Sequence, residues 1–161
     1  MSDSPPDVRI LPITPQDLPR AAELFHALHT FNATFDPRFT LADDWPTHLR
    51  AAYERTRDDP DTLWTLAWHG EEAVGLLLAQ AHLDPPIFRH RRWLELSALY
   101  VEPSYRRHGV ARLLVEYLQA WARQRGFDAI QLYVSAANTG ARQFYARQGF
   151  ELLQEIWRYR L

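Results

Sequence analysis

The chain has 161 residues, the length of one domain with one hydrophobic core, and its 47% hydrophobic and 24% charged residues are those of an ordinary globular protein. It contains no cysteine, which excludes disulfides, thiolate catalysis and cysteine metal sites; all 18 basic residues are arginine, which excludes Schiff-base and P-loop lysines. The net charge of −2 divides unevenly, with 6 Arg against 13 Asp and Glu through residue 80 and 12 Arg against 7 after it. The start, MSDSPPDVRI, has neither the basic nor the apolar part of a secretory signal, and no run of about 18 apolar residues occurs, so a cytoplasmic protein without a membrane span is expected. One domain over residues 1–161 is expected, with residues 1–6 flexible.

VRILPI (8–13) is a short apolar run rich in branched residues and predicts a strand. Thr14-Pro15 then offers an N-cap and a first-turn proline, and a helix should run through Ala21, Leu24, Phe25 and Leu28. A second helix begins near Asp44, carries Leu49, Ala52 and Tyr53, and ends before Asp59-Pro60. TLWTLAW (62–68), a turn at His69-Gly70 and AVGLLLAQAH (73–82) form a hairpin. The next strand, WLELSALYV (93–101), is stopped by Glu102-Pro103. From Val110 the apolar residues fall at Leu113, Leu114, Tyr117, Leu118 and Trp121, the stripe of an amphipathic helix closed by Gly126. AIQLYV (129–134) predicts a strand, NTGARQFYARQ (138–148) a helix closed by Gly149, and FELLQEIWRYRL (150–161) one or two terminal strands. The pattern is mixed α/β.

Chemistry concentrates in YRRHGVARLL (105–114). A strand ending at Val101, a short loop and a helix opening near Gly109 leave the helix's first amides without intrahelical acceptors and aimed at the loop. Such a helix start, with its dipole and Arg106, Arg107 and Arg112 beside it, suits an anion. Neither the glycine pattern of a dinucleotide-binding loop nor that of a P-loop is present. Arg106-x-x-Gly109-x-Ala111, after LYVEPSYRR and before a long amphipathic helix, resembles the GNAT superfamily of acyl-CoA-dependent N-acyltransferases. The resemblance implies a bent mixed sheet flanked by helices, splayed after the strand at 93–101, with acetyl-CoA as acyl donor and no metal. It assigns the pyrophosphate to the loop and helix start, Arg106, Arg107, His108, Gly109, Val110, Ala111 and Arg112, and pantetheine to the backbone of Leu99, Tyr100 and Val101.

The second signature of that family is matched by Asn138, Ala141, Phe144, Tyr145, Gly149 and Phe150. Asn138 and Tyr145 are two turns apart, so one helix face carries both. By resemblance, Asn138 and Ala141 belong to the cofactor site and Tyr145 sits beside the thioester sulfur. A phenol there can donate to a departing thiolate. Ignoring any bulge, residues 95, 97, 99 and 101 share one strand face. Glu95, a carboxylate in an apolar strand, is a candidate general base for an amine whose pKa is near 10.4 in the free state, or else a carboxylate that orients substrate or pairs with an arginine.

The implied activity is acetyl transfer from acetyl-CoA to a small-molecule or peptide amine by direct attack in a ternary complex. The alternative is a non-catalytic acyl-CoA-binding sensor or partner module. His26 and His29 lie three apart but have no third ligand at a supporting spacing, so no metal site is expected. FRHRRW (88–93) reads as a solvated loop, and no nucleic-acid partner is expected of a mildly acidic chain. Asp36, Asp43 and Asp44 beside Phe31, Phe35, Phe39 and Trp45 read as an ordinary solvated acidic surface or, since the resemblance implies that this region covers the acceptor, as the site of a cationic acceptor with an apolar portion. The terminal strand offers an edge through which two copies can pair as a homodimer.

Overall fold

The structure, a computed structural model, describes residues 7–89 and 92–161. The flexibility expected of residues 1–6, and the centre of the basic loop at His90 and Arg91, lie outside the described residues. In chain order come β1 (Val8–Pro12), α1 (Leu18–Ala33), α2 (Trp45–Thr56), β2 (Thr62–His69), β3 (Glu72–Leu83), β4 (Arg92–Val101), α3 (Val110–Gln124), β5 (Ala129–Gln131) and α4 (Thr139–Arg147). Short 3-10 turns occupy Pro37–Phe39 and Pro103–Tyr105. The strands form one sheet in the order β1-β2-β3-β4-β5, antiparallel through β4 and parallel between β4 and β5.

Helices cover both faces of the sheet. On one side α3 packs Val110, Leu114, Leu118 and Ala122 against Leu77, Ala79, Leu94 and Leu96. On the other, α1 and α2 pack Leu18, Ala21, Leu24 and Tyr53 against Leu66, Leu76, Leu78, Ala98 and Tyr100. Because both faces are covered, the centre of β3 is one uninterrupted buried run, Ala73–Ala79, in place of an alternation. Gly75 sits where α3 crosses: a Cβ there would lie 3.1 Å from Leu114 Cδ1 and 3.3 Å from the Tyr100 carbonyl. Polar groups inside are paired. The Tyr53 hydroxyl donates to the Ile13 carbonyl at 2.9 Å, and Thr65 Oγ1 donates to Leu77 O at 3.1 Å. Arg20 joins α1 to the sheet, donating to Ala73 O and to Glu102 Oε1, both at 2.8 Å.

Three sequence expectations are corrected. Helix α1 opens at Leu18, not at Pro15, because the Thr14 amide and hydroxyl both donate to Asp17 Oδ2, at 2.8 and 2.6 Å, and close a turn ahead of the helix. Strand β5 ends at Gln131 instead of residue 134, since its pairing with β4 stops there. Residues 150–161 form no strand; beyond the Phe150 N–H, which donates to Tyr145 O at 3.0 Å, none of their amides has a backbone acceptor among the described residues.

Candidate active site

The ladder between β4 and β5 has three pairs, Trp93 with Ala129, Leu94 with Ile130 and Glu95 with Gln131, and then the strands part. From Leu96 to Val101 the β5-side edge of β4 has no strand partner among the described residues, which places the splay within β4, immediately after Glu95, and not after Val101. One residue further on, the β3–β4 register jumps: Leu78 faces Ala98 and Ala79 faces Leu96, so Ser97 is an extra residue in a bulge. The bulge overturns the simple alternation. Leu94, Leu96, Leu99 and Val101 belong to the α3 side, whereas Glu95, paired across the ladder with Gln80, shares the α1–α2 side with Ala98 and Tyr100. Glu95 is half-buried and has no side-chain partner among the described residues. Tyr100 and Val101 are buried and Leu99 is half-buried, so their side chains belong to the core.

At the open end of β4 the chain turns through residues 102–109 into α3. Gly109 is the N-cap with φ +82°, and Arg107 is also left-handed at φ +67°. No side chain caps this helix, and the first intrahelical bond is Leu113 N–H to Gly109 O at 3.0 Å. The amides of Val110, Ala111 and Arg112 are therefore unclaimed within the helix, as an anion site requires. The side chain of Val110 is buried in the core, so only its amide can serve.

The arginines divide the work differently from the sequence expectation. Arg106 folds back: its Nε donates to Val101 O at 2.9 Å, and its guanidinium lies 5.4 Å from the Tyr100 ring centre and 5.7 Å from that of Phe31. It ties the end of β4 to α1. Arg112 runs outward to Glu116, 3.5 Å away. Arg107 is exposed, with no ion-pair partner among the described residues, and His108 is exposed in the same loop.

Asn138 is the N-cap of α4, its Oδ1 accepting from Ala141 N–H at 3.1 Å. That carbonyl is occupied, and the backbone amide of Ala141 with it. Tyr145 is half-buried, its ring edge-on to Phe144 at 5.2 Å and Phe150 at 5.5 Å. Burial pushes its phenol pKa up, so the group keeps its proton at neutral pH. Its hydroxyl has no hydrogen-bond partner among the described residues.

Beneath α2 a cavity of about 350 Å3 reaches the Ser97 bulge, lined by Phe25, Trp45, Leu49, Trp64 and Leu78, with Gln80 at its edge. Sequence reading missed it; Ser97, a polar residue inside an apolar strand, was the only local signal. Of the acidic residues expected near an acceptor, Asp36 is taken by Arg158 at 2.6 Å and Arg38 at 3.2 Å, and Asp44 pairs with His48 at 3.0 Å. His26 stacks on Trp45, and His29 lies tilted against Phe25 with ring centres 4.4 Å apart. Burial lowers the His29 pKa. Both rings are packing elements.

A sheet that parts beside an unclaimed helix start defines the GNAT class of α/β domains. The chain matches the Acetyltransferase (GNAT) family model over residues 24–150 and belongs to that family. It is 32% identical over 98 residues to N-acetyltransferase 8F1 of Rattus norvegicus, a match covering 58% of this chain and 43% of that protein. It is 33% identical over 102 residues to mycothiol acetyltransferase of Beutenbergia cavernae, covering 63% and 32%. The chain thus spans less than half the length of these curated relatives. Among solved structures, the tetramutant of BH1408 protein from Bacillus halodurans superposes with a TM-score of 0.82 at 21% identity, covering 95% of this chain and 99% of that one. The aminoglycoside N-acetyltransferase AAC(6')-Iy in complex with CoA gives 0.70 at 21% identity, covering 96% and 93%. At these identities the two structures establish the fold. No helix among the described residues is long and apolar enough to cross a membrane.

Proposed function

We propose that this chain is an acetyl-CoA-dependent N-acetyltransferase in which an amine attacks the thioester directly within a ternary complex. The observation that carries this reading is the parting of β4 from β5 after Glu95, beside the unclaimed amides of α3. Acetyl-CoA supplies an acetyl group activated as a thioester. The amides of Val110, Ala111 and Arg112, with Arg107, hold its pyrophosphate, and the β5-side edge of β4 after Glu95, up to the Val101 carbonyl that Arg106 occupies, pairs with its pantetheine arm. The amine nitrogen bonds to the carbonyl carbon, the carbon–sulfur bond breaks, and the electron pair leaves on sulfur. The Tyr145 hydroxyl donates to that sulfur, and Glu95, directly or through water, takes the ammonium proton. No cysteine is available for an acyl-enzyme, which favours direct transfer.

The acceptor is an amine on an apolar body. The cavity beneath α2 suits the body, and Ser97 in its lining stands two residues along β4 from Glu95, after which β4 and β5 part. Two of the three carboxylates that would favour a polycation already have partners. The test is thiol release from acetyl-CoA, which this cysteine-free chain allows without background, across aralkylamines, alkylamines, polyamines and aminoglycosides, alongside calorimetric titration with CoA. Aralkylamines are expected to give the highest kcat/KM. Polyamines or aminoglycosides in first place would overturn the acceptor assignment, and CoA binding without thiol release from any amine would select the non-catalytic module.

A further inference from the structure

Four polar residues stand in register across the sheet. Thr62 on β2 faces Gln80 on β3, Gln80 faces Glu95 on β4, and Glu95 faces Gln131 on β5. Directly opposed residues share a face of the sheet, and the residues next along the strands fix which one: Leu63, Ala79 and Leu94 pack toward α3. The row therefore lies on the α1–α2 face. Toward the strand centres it borders the apolar cavity, whose lining includes Thr62, Gln80, Trp64 and Leu78. In the other direction it meets Trp93, whose ring centre lies 4.1 Å from that of His82 and whose indole N–H donates to Asp84 Oδ1 at 3.0 Å.

Thr62 is engaged, its hydroxyl donating to Asp59 Oδ2 at 2.8 Å. Gln80, Glu95 and Gln131 have no side-chain hydrogen-bond partner among the described residues. Gln80 is exposed and the other two are half-buried, so a ligand can reach them. A few unclaimed polar ends beside an apolar cavity orient a small molecule and give it specificity.

We propose that Gln80 is a specificity residue of the acetyl transfer: it reads a hydroxyl on the carbon next to the one bearing the reacting amine, and the acceptor class is a vicinal amino alcohol with an aryl body. The assignment rests on the reading of this chain as an amine acetyltransferase. The order of residues across the sheet sets the order of groups along the acceptor. The aryl body fills the cavity, and the acceptor leaves it past Gln80 to reach Glu95, after which β4 and β5 part. Strands lie about 4.8 Å apart and hydrogen bonds are about 2.9 Å long, so one molecule can give its amine to Glu95 and the adjacent hydroxyl to Gln80. The Gln80 amide both donates and accepts, as a hydroxyl does, and its lack of charge leaves the ammonium group to Glu95.

The probes are the two enantiomers of 2-amino-1-phenylethanol, assayed by thiol release from acetyl-CoA. Their amines are equally basic, so a difference in kcat/KM reports where the hydroxyl sits. Because Gln80 is exposed, water replaces a missed contact, and the enantiomers should differ by about two- to tenfold, the effect of one neutral hydrogen bond. Gln80→Leu should bring the ratio close to one; a loss of folded protein lowers both rates alike and leaves the ratio untouched. Equal kcat/KM for the enantiomers in the parent chain overturns the proposal, and so does a preference that survives Gln80→Leu. So does 2-phenylethylamine, compared per neutral amine, outrunning the better enantiomer. Thiol release from no amine at all overturns the enzymatic reading itself, which separates that failure from the failure of Gln80 as the reader.

Discussion

Tyr145→Phe removes one oxygen and leaves the rest of the residue in place. The ring keeps its edge-on contacts with Phe144 and Phe150, and the hydroxyl has no described partner to abandon, so folding stability should change by less than about 0.5 kcal/mol. Acetyl-CoA affinity should likewise hold, since the thioester sulfur is a poor acceptor until it gains charge. What is lost is a hydrogen bond to a developing thiolate. A bond to a charged partner is worth about 1.5–3 kcal/mol, which converts to a fall in kcat of roughly ten- to 150-fold. The raised phenol pKa sets the pH arm: Tyr145 stays protonated through neutral pH, so it should add no limb to the rate profile there. Thiol-release kinetics at saturating amine give kcat, and calorimetry gives the acetyl-CoA Kd. A kcat within about twofold of the parent would remove Tyr145 from the chemistry. A fall matched by an equal weakening of acetyl-CoA binding would make it a binding residue.

Gly109→Ala forces a Cβ into a backbone at φ +82°, which costs about 1–2 kcal/mol; thermal denaturation should register the loss, and acetyl-CoA should bind more weakly as the helix start shifts. Tyr53→Phe strands the Ile13 carbonyl in the core and should cost about 1–3 kcal/mol in denaturant unfolding, with kcat unchanged because the contact lies away from the splay. Asp36 is held down at about 2, first by Arg158 and then by Arg38. Its pairing therefore stabilises the fold above the ordinary carboxylate range and is lost as pH falls from about 3.8 toward 2. Carboxyl NMR should find Asp36 titrating higher in Arg158→Ala, and an unchanged titration would mean the tail is not tethered there.

The periodic features were legible in the chain itself. The apolar run of β3, the stripe of α3 from Val110 to Trp121 and the hairpin at Gly70 follow from local preference and burial, and the structure places them close to where the pattern does. So does the loop Arg106-x-x-Gly109-x-Ala111, because a helix start after a strand is a local event. The site's internal geometry was not legible, since it depends on pairing between distant segments. Ser97 becomes a bulge only through the β3 register, and that one residue moves Glu95 to the opposite face from Leu99 and Val101. Arg106 was legible as a cation at the helix start, but its bond to Val101 O and its place beside Tyr100 and Phe31 come only from tertiary contact. The terminal segment marks the limit most clearly. Its apolar residues read as a strand, but a strand exists only against a partner, and no backbone hydrogen bond joins residues 151–161 to a sheet edge among the described residues.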